Sequence, residues 1–282
     1  MSQLAVLVDG VDFGEGPRWH DGRLWYSDFY HQTVYAVTPD GEQEAIVRVE
    51  QQPSGLGWLP DGQLLIVSMK DRRLLRYDGT DLHLHADLSD VAAFWCNDMV
   101  VDERGNAYVG NFGFDLFTAG RDAATTATLA LVRPDGTVEA AAPDLGFPNG
   151  SVITSDGRTL IVGESMASRF TAFDINDDAT LTNRRVWAET PGCVPDGCTL
   201  DAEGGIWVAD ARGQRVVRYV EGGELTDEIA TDQPAFACML GGDDGTTLFI
   251  LTAPSSSPEL VAGQGKGAIV NATVAHPRAG RP

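Results

Sequence analysis

A single phrase recurs six times along this 282-residue chain: an acidic or basic residue, glycine and, after one or two residues, a short run of strand-forming side chains. Its glycines are Gly22, Gly62, Gly105, Gly157, Gly204 and Gly245, at successive spacings of 40, 43, 52, 47 and 41 residues. The runs that follow occupy residues 24–26, 64–67, 107–109, 160–162, 206–208 and 248–251. Glycine between two apolar runs marks a tight hairpin, because the turn needs a positive φ that residues with a Cβ resist. Most units then carry a further strand-like run, such as 33–37, 73–77, 130–132, 170–173 or 216–219, and a more charged fourth. A period of roughly 40–50 residues with about four strands per repeat is the arithmetic of a propeller blade. The sequence therefore predicts an all-β, six-bladed β-propeller with four antiparallel strands per blade, a single domain over residues 1–282. The sixth unit is complete only if 268–274 is a strand, and the N-terminal segment 4–8 is expected to pair into that sheet and close the ring. A sandwich or a solenoid shares short strands and turn residues but not this spacing.

Charge narrows the partners. With 20 basic and 41 acidic residues the net charge is −21, which repels phosphate backbones and anionic lipid surfaces and argues against nucleic acid and membrane. Most of these carboxylates read as a solvated surface. Apolar residues, at 43%, suffice for a core, and no run is long enough to span a bilayer. The first residues lack a basic start, an apolar stretch and a cleavage signal, so a cytoplasmic location is the default expectation. Cys96, Cys193, Cys198 and Cys238 form no Cys-x-x-Cys pair and are expected to be buried free thiols.

In a four-stranded blade the innermost strand lines a central channel, and its first residues lie at one mouth. Eight residues before each repeat glycine stand Gly14, Ser54, Asn97, Asn149, Asp196 and Ala237, with Glu15 one residue beyond Gly14. Oxygen donors from Glu15, Asn97, Asn149 and Asp196 around one axis suit a hard divalent cation, whose charge two carboxylates balance. Taken singly, Asn149-Gly150 and Asp196-Gly197 are ordinary turn dipeptides. That explanation leaves Glu15 and Asn97 at nearly the same register unaccounted for.

The phrases around these residues are Phe13-Gly14-Glu15-Gly16-Pro17-Arg18-Trp19, Asn97-Asp98 with Val100-Val101-Asp102, Phe147-Pro148-Asn149-Gly150 and Pro195-Asp196-Gly197. Together, and over essentially the whole chain, they resemble the gluconolactonase and regucalcin (senescence marker protein) group of lactonases, to which diisopropylfluorophosphatase-like enzymes are related. The resemblance implies a metal-dependent hydrolase that opens lactone rings, with sugar lactones such as gluconolactone as the leading substrates. It implies Glu15, Asn149 and Asp196 as metal ligands and Asn97 as a further ligand or substrate contact. Asp196 is then the favoured base, with direct attack by its carboxylate as the other route. One divalent ion is the expected cofactor, calcium first, with zinc, magnesium, manganese or iron as alternatives. Several members of the group place an arginine two residues before the equivalent of Asn97; this chain has Trp95 there, a substrate contact that suits a more apolar lactone and can also stack on a sugar face. Asp115 is similar to a substrate-contacting acid of the group and reads equally well as a turn aspartate. Phosphotriester or aryl-ester hydrolysis at the same ion, and a non-catalytic calcium-binding propeller, are the alternatives.

Other motifs fail on context. Gly163-Glu164-Ser165-Met166-Ala167 ends in alanine and lies between strands, so Ser165 is not read as an elbow nucleophile. His83 and His85 read as exposed side chains of an outer strand, and His20, His31 and His276 have no partner at a ligand spacing. Gly263-x-Gly265-x-Gly267 lacks the strand and helix that flank a phosphate cradle. Cys96 and Cys198 flank the candidate site and read as packed thiols; as ligands they would draw zinc or iron instead.

Overall fold

All six repeat glycines adopt the left-handed conformation, with φ between 71° and 88°. At Gly22, Gly62, Gly157 and Gly204 an added Cβ would meet nothing within 4 Å, so the dihedral and not the space demands glycine. Each of these turns joins the innermost strand of a blade to its second strand. A computed structural model of the chain, which describes residues 4–282, contains six four-stranded antiparallel sheets that form the blades of a propeller.

Blade 1 runs outward from the axis as Gly14–His20, Arg23–Asp28, Thr33–Val37 and Gln43–Arg48. The innermost strands of blades 2 to 5 are Pro53–Trp58, Cys96–Val101, Pro148–Ile153 and Pro195–Leu200. Blade 6 takes Ala235–Gly241, Thr247–Thr252 and Gly267–Thr273 from the end of the chain and its outermost strand, Ala5–Val11, from the beginning. That closing strand pairs antiparallel with Gly267–Thr273, from Ala5 opposite Asn271 to Val11 opposite Gly267. The expected N-terminal closure is thus present and runs three residues further than the segment 4–8.

Burial falls off along each blade, and this is why the fourth strands read as charged. The innermost strands Cys96–Val101, Pro148–Ile153 and Pro195–Leu200 are buried throughout, whereas Gln43–Arg48 and Leu225–Ala230 are mostly exposed. Each junction between neighbouring blades has its own apolar cluster. Phe170 and Trp187 of blade 4 meet Cys198, Val208 and Tyr219 of blade 5, while Met239, Phe249 and Ile269 of blade 6 meet Leu24 and Tyr26 of blade 1. Burying a side chain of this size contributes roughly 1.5–3 kcal/mol, so the ring is held by sheet packing at every junction as well as by the closing strand.

The innermost strands also touch one another, and glycine makes that contact. Gly150 and Gly197 have no positive φ, so Asn149-Gly150 and Asp196-Gly197 are not turns. A Cβ on Gly150 would lie 2.3 Å from the carbonyl oxygen of Asp196, and one on Gly197 2.6 Å from Ala237 Cβ. At the mouth formed by the hairpin turns, the C-terminal residues cross three blades. Arg278 N donates to Gly245 O at 2.9 Å, Ala279 N to Leu200 O at 2.9 Å, and Arg281 exchanges two backbone hydrogen bonds with Ile153 at 2.7 and 2.8 Å. Among the described residues, no helix is long and apolar enough to cross a membrane.

Candidate active site

The first residue of each innermost strand lies opposite the last residue of the second strand: Gly14 opposite Asp28, Pro53 opposite Ser68, Cys96 opposite Asn111, Pro148 opposite Glu164, Pro195 opposite Asp210 and Ala235 opposite Thr252. The equivalent second positions are therefore Glu15, Ser54, Asn97, Asn149, Asp196 and Phe236. Counting back from the repeat glycine finds four of these and misses two by one residue. The innermost strand of blade 1 begins one residue nearer its glycine than those of blades 2 to 5, which puts Glu15 and not Gly14 in register, and that of blade 6 begins one residue further away, which puts Phe236 there and not Ala237. Just beyond this position every innermost strand carries one residue more than its partner, as between Cys96 and Met99 opposite Asn111 and Val109. Such a bulge re-aims the side chain beside it.

All six side chains at this height are between 1% and 8% exposed. Burial, reinforced by the charges of Asp196 and Asp98, holds the Glu15 carboxyl well above the usual range. Burial pushes Asp196 up to about 8; the neighbouring Asn149 amide opposes that shift and the charge of Asp98 adds to it. Asn149 Nδ2 donates to Ser165 Oγ at 3.1 Å, and Ser165 in turn donates to Pro195 O at 2.6 Å, so the amide is fixed between blades 4 and 5. Ser54 Oγ lies 3.5 Å from Asn97 Oδ1.

Below this layer an arginine links three blades. Arg18 of blade 1 reaches past blade 2, where its Nε donates to Leu56 O at 3.0 Å, to blade 3, where its Nη2 meets Asp98 Oδ1 at 2.7 Å and Met99 O. Both members of this ion pair are buried. Arg18 also lines a cavity of about 880 Å³ that opens at the hairpin mouth, beside Trp58, Arg158 and the C-terminal residues Arg278 and Arg281. The guanidinium therefore stands between that cavity and the carboxylates.

Above the layer stands a wall of rings. Phe13, Phe147 and Phe236 from the starts of innermost strands pack with Phe29, Met69 and Phe112, which follow second strands, and with the half-buried Trp95. Phe13 and Phe236 are 4.7 Å apart, and Phe112 and Phe147 4.4 Å. Trp95 stacks on Phe94 at 5.3 Å and carries Lys70 Nζ 5.3 Å from its ring centre. Asp115 stands at the edge of this wall, two residues before Phe117, whose ring lies 5.0 Å from that of Trp95. It caps the short helix Leu116–Ala119, accepting from Phe117 N at 3.1 Å and Thr118 N at 2.9 Å.

The four cysteines are free and buried, and burial pushes Cys96 and Cys193 up to about 12, so these thiols stay protonated. His83 pairs with Asp78 at 2.8 Å on the exposed outer strand of blade 2, and His85 lies 3.3 Å from Arg133 O. The glycine loop at 263–267 cradles a carboxylate of its own chain: Gly263 N and Gly265 N donate to Asp12 at 2.6 and 2.8 Å. Ser165, Arg18, Asp98 and Phe236 are the neighbours of the site that sequence reading did not place.

Among the described residues, no three histidine, cysteine or acidic side chains gather as a metal cluster. The oxygen set at the upper mouth combines two carboxylates with two carboxamides, a mixture that suits a hard cation. With Arg18 set against Asp98, the charges of Glu15 and Asp196 remain, and their sum matches one divalent ion.

Residues 13–254 match the family described as SMP-30/Gluconolactonase/LRE-like region. The chain is 28% identical over 261 residues to pentonolactonase XacC of Haloferax volcanii, an alignment covering 90% of this chain and 86% of that one. Its fold is similar to that of luciferin-regenerating enzyme, with a TM-score of 0.84 and 20% identity over 99% of this chain and 98% of that one. It is similar as well to a calcium-binding protein, regucalcin, from Agrobacterium tumefaciens, with a TM-score of 0.82 and 21% identity over 100% and 97%. The six-bladed ring, the polar register at its mouth and a family match reaching from Phe13 to Pro254 agree, and the chain belongs to the SMP-30/gluconolactonase/LRE-like family.

Proposed function

We propose that the chain is a metal-dependent lactonase whose ion is held by Glu15, Asn149 and Asp196. One observation carries this reading: two carboxylates are buried at one register, and among the described residues neither has a salt-bridge partner, so ionising both calls for a cation. Removing charge from water without a partner is costly, so the arrangement favours a dication. Calcium is the leading ion, because the donors are all oxygen and a structural relative is described as calcium-binding. A bound divalent ion supplies polarisation of the lactone carbonyl. Asp196 takes the proton of the attacking water as the water oxygen bonds to the carbonyl carbon. Asn97 Nδ2 donates to the carbonyl oxygen as negative charge gathers there, and collapse breaks the ring C–O bond and delivers the proton to the leaving oxygen. The rings above exclude bulk water from this step.

The family and the pentonolactonase relative support lactones as the substrate class, sugar lactones among them. The wall of Phe13, Phe147, Phe236 and Trp95 supports a second reading, lactones or aryl esters with apolar substituents. Chelator-treated protein assayed on gluconolactone, on an aryl-substituted δ-lactone and on an aryl ester tests both. Hydrolysis lost on chelation and regained with calcium is expected. If no lactone is opened in a metal-restorable way, the site is a binding site and the lactonase reading is wrong.

A further inference from the structure

The last residue of the second strand divides the six blades into two kinds. In blades 1, 4 and 5 it is a carboxylate, Asp28, Glu164 or Asp210, and in blades 2, 3 and 6 it is uncharged, Ser68, Asn111 or Thr252. Blades 1, 4 and 5 are the blades that carry Glu15, Asn149 and Asp196. All three carboxylates are at most 2% exposed.

Each of the three grips the segment that leads into its own innermost strand. Asp28 accepts from Asp12 N at 3.0 Å and Phe13 N at 3.4 Å, just ahead of Glu15. Glu164 Oε2 accepts from Gly146 N at 2.6 Å, three residues ahead of Asn149. Asp210 Oδ1 accepts from Val194 N at 3.1 Å, two residues ahead of Asp196. A basic side chain from the same blade holds the carboxylate in turn: His31 Nδ1 lies 3.1 Å from Asp28, Arg169 Nε 2.8 Å from Glu164 and Arg215 Nε 3.0 Å from Asp210. The uncharged residues do something else. Ser68 donates to Asp71 at 2.6 Å, Asn111 bonds Gly113 N and Thr128 O, and Thr252 donates to Ala268 O at 3.2 Å.

We propose that Asp28, Glu164 and Asp210 are positioning residues that fix the backbone just ahead of the three ligands. The proposal rests on the metal reading above. Charge-assisted hydrogen bonds to backbone N–H groups are short and directional, and fixing the residues just ahead of a ligand sets where its oxygens converge. Both oxygens of each carboxylate are engaged by donors, so an amide of the same shape turns an NH₂ group toward a donor and loosens the segment.

The test is calcium and manganese binding by calorimetry, with thermal melting measured alongside, for Asp28→Asn, Glu164→Gln and Asp210→Asn. Ser68→Ala and Thr252→Val are the matched changes in blades without a ligand. The first three are expected to weaken binding about 10–100-fold while the protein stays folded, and the last two to leave it unchanged. Equal affinities across all five positional variants would make the carboxylates blade staples and overturn the proposal alone. A parent protein that takes up neither ion overturns the metal reading and the proposal with it.

Discussion

Burial pushes the Asp196 carboxyl up to about 8 when nothing positive faces it, against 3.8 for a free aspartate. Between those two values the native state holds more protons than the unfolded chain, so the contribution of this residue to stability falls as pH rises through the window. The metal-free protein is expected to melt at a lower temperature at pH 8 than at pH 5. Calcium should remove most of that difference, since a bound cation takes the place of the proton, and Asp196→Asn should flatten it without calcium. A metal-free melting temperature that rises from pH 5 to pH 8 in the parent and not in the variant would refute the assignment. The same substitution should lower kcat by about 10²–10⁴-fold with the fold intact. At this scale the sequence was legible where chemistry and position coincide: Asn97, Asn149 and Asp196 stand out because oxygen-bearing residues recur at one distance from a glycine, and Glu15 stands one residue off that count. The pairing of Arg18 with Asp98 was not legible, because 80 residues separate the partners and only the curvature of the ring brings them together. Phe236 was missed for another reason. An apolar residue at a polar register carries no chemical signal of its own.

Hairpins were the readable elements, since their glycines obey a local dihedral rule that needs no tertiary context. Their lengths were not readable, because a residue can be added or lost at the solvent end without disturbing the sheet, and this shifted the register of blades 1 and 6. The glycines inside the innermost strands follow a different rule, visible only in the assembled ring. Gly150→Ala would force a Cβ to within 2.3 Å of the Asp196 carbonyl oxygen and 2.7 Å of Cys198 N. Neither atom can yield without moving its strand. Overpacking of this kind costs about 1–3 kcal/mol, and because the displaced strand carries Asp196, calcium affinity should fall together with stability. A urea titration and a calcium titration of the variant check this; a lower midpoint with unchanged affinity would show that the strand yields without moving the ligand.

For the whole molecule, closure joins the two ends of the chain in one sheet. Deleting residues 1–11 removes the outer partner of Gly267–Thr273 and leaves a strand edge open to other chains. The truncated protein is expected to melt earlier and to associate on warming, which scattering during a thermal ramp would reveal; a monomeric, equally stable product would mean that packing between the blades suffices without the clasp. Six repeats were enough to foresee the ring and the residues that face its axis, yet not the Arg18–Asp98 bridge beneath them, which belongs to no single repeat. The guanidinium of Arg18 stands between the cavity at the hairpin mouth and the carboxylates, so the two mouths are unlike, one ending in a charged bridge and the other in rings. On the lactonase reading the ring-opened hydroxy acid leaves as an anion, and a chain of net charge −21 helps to expel it.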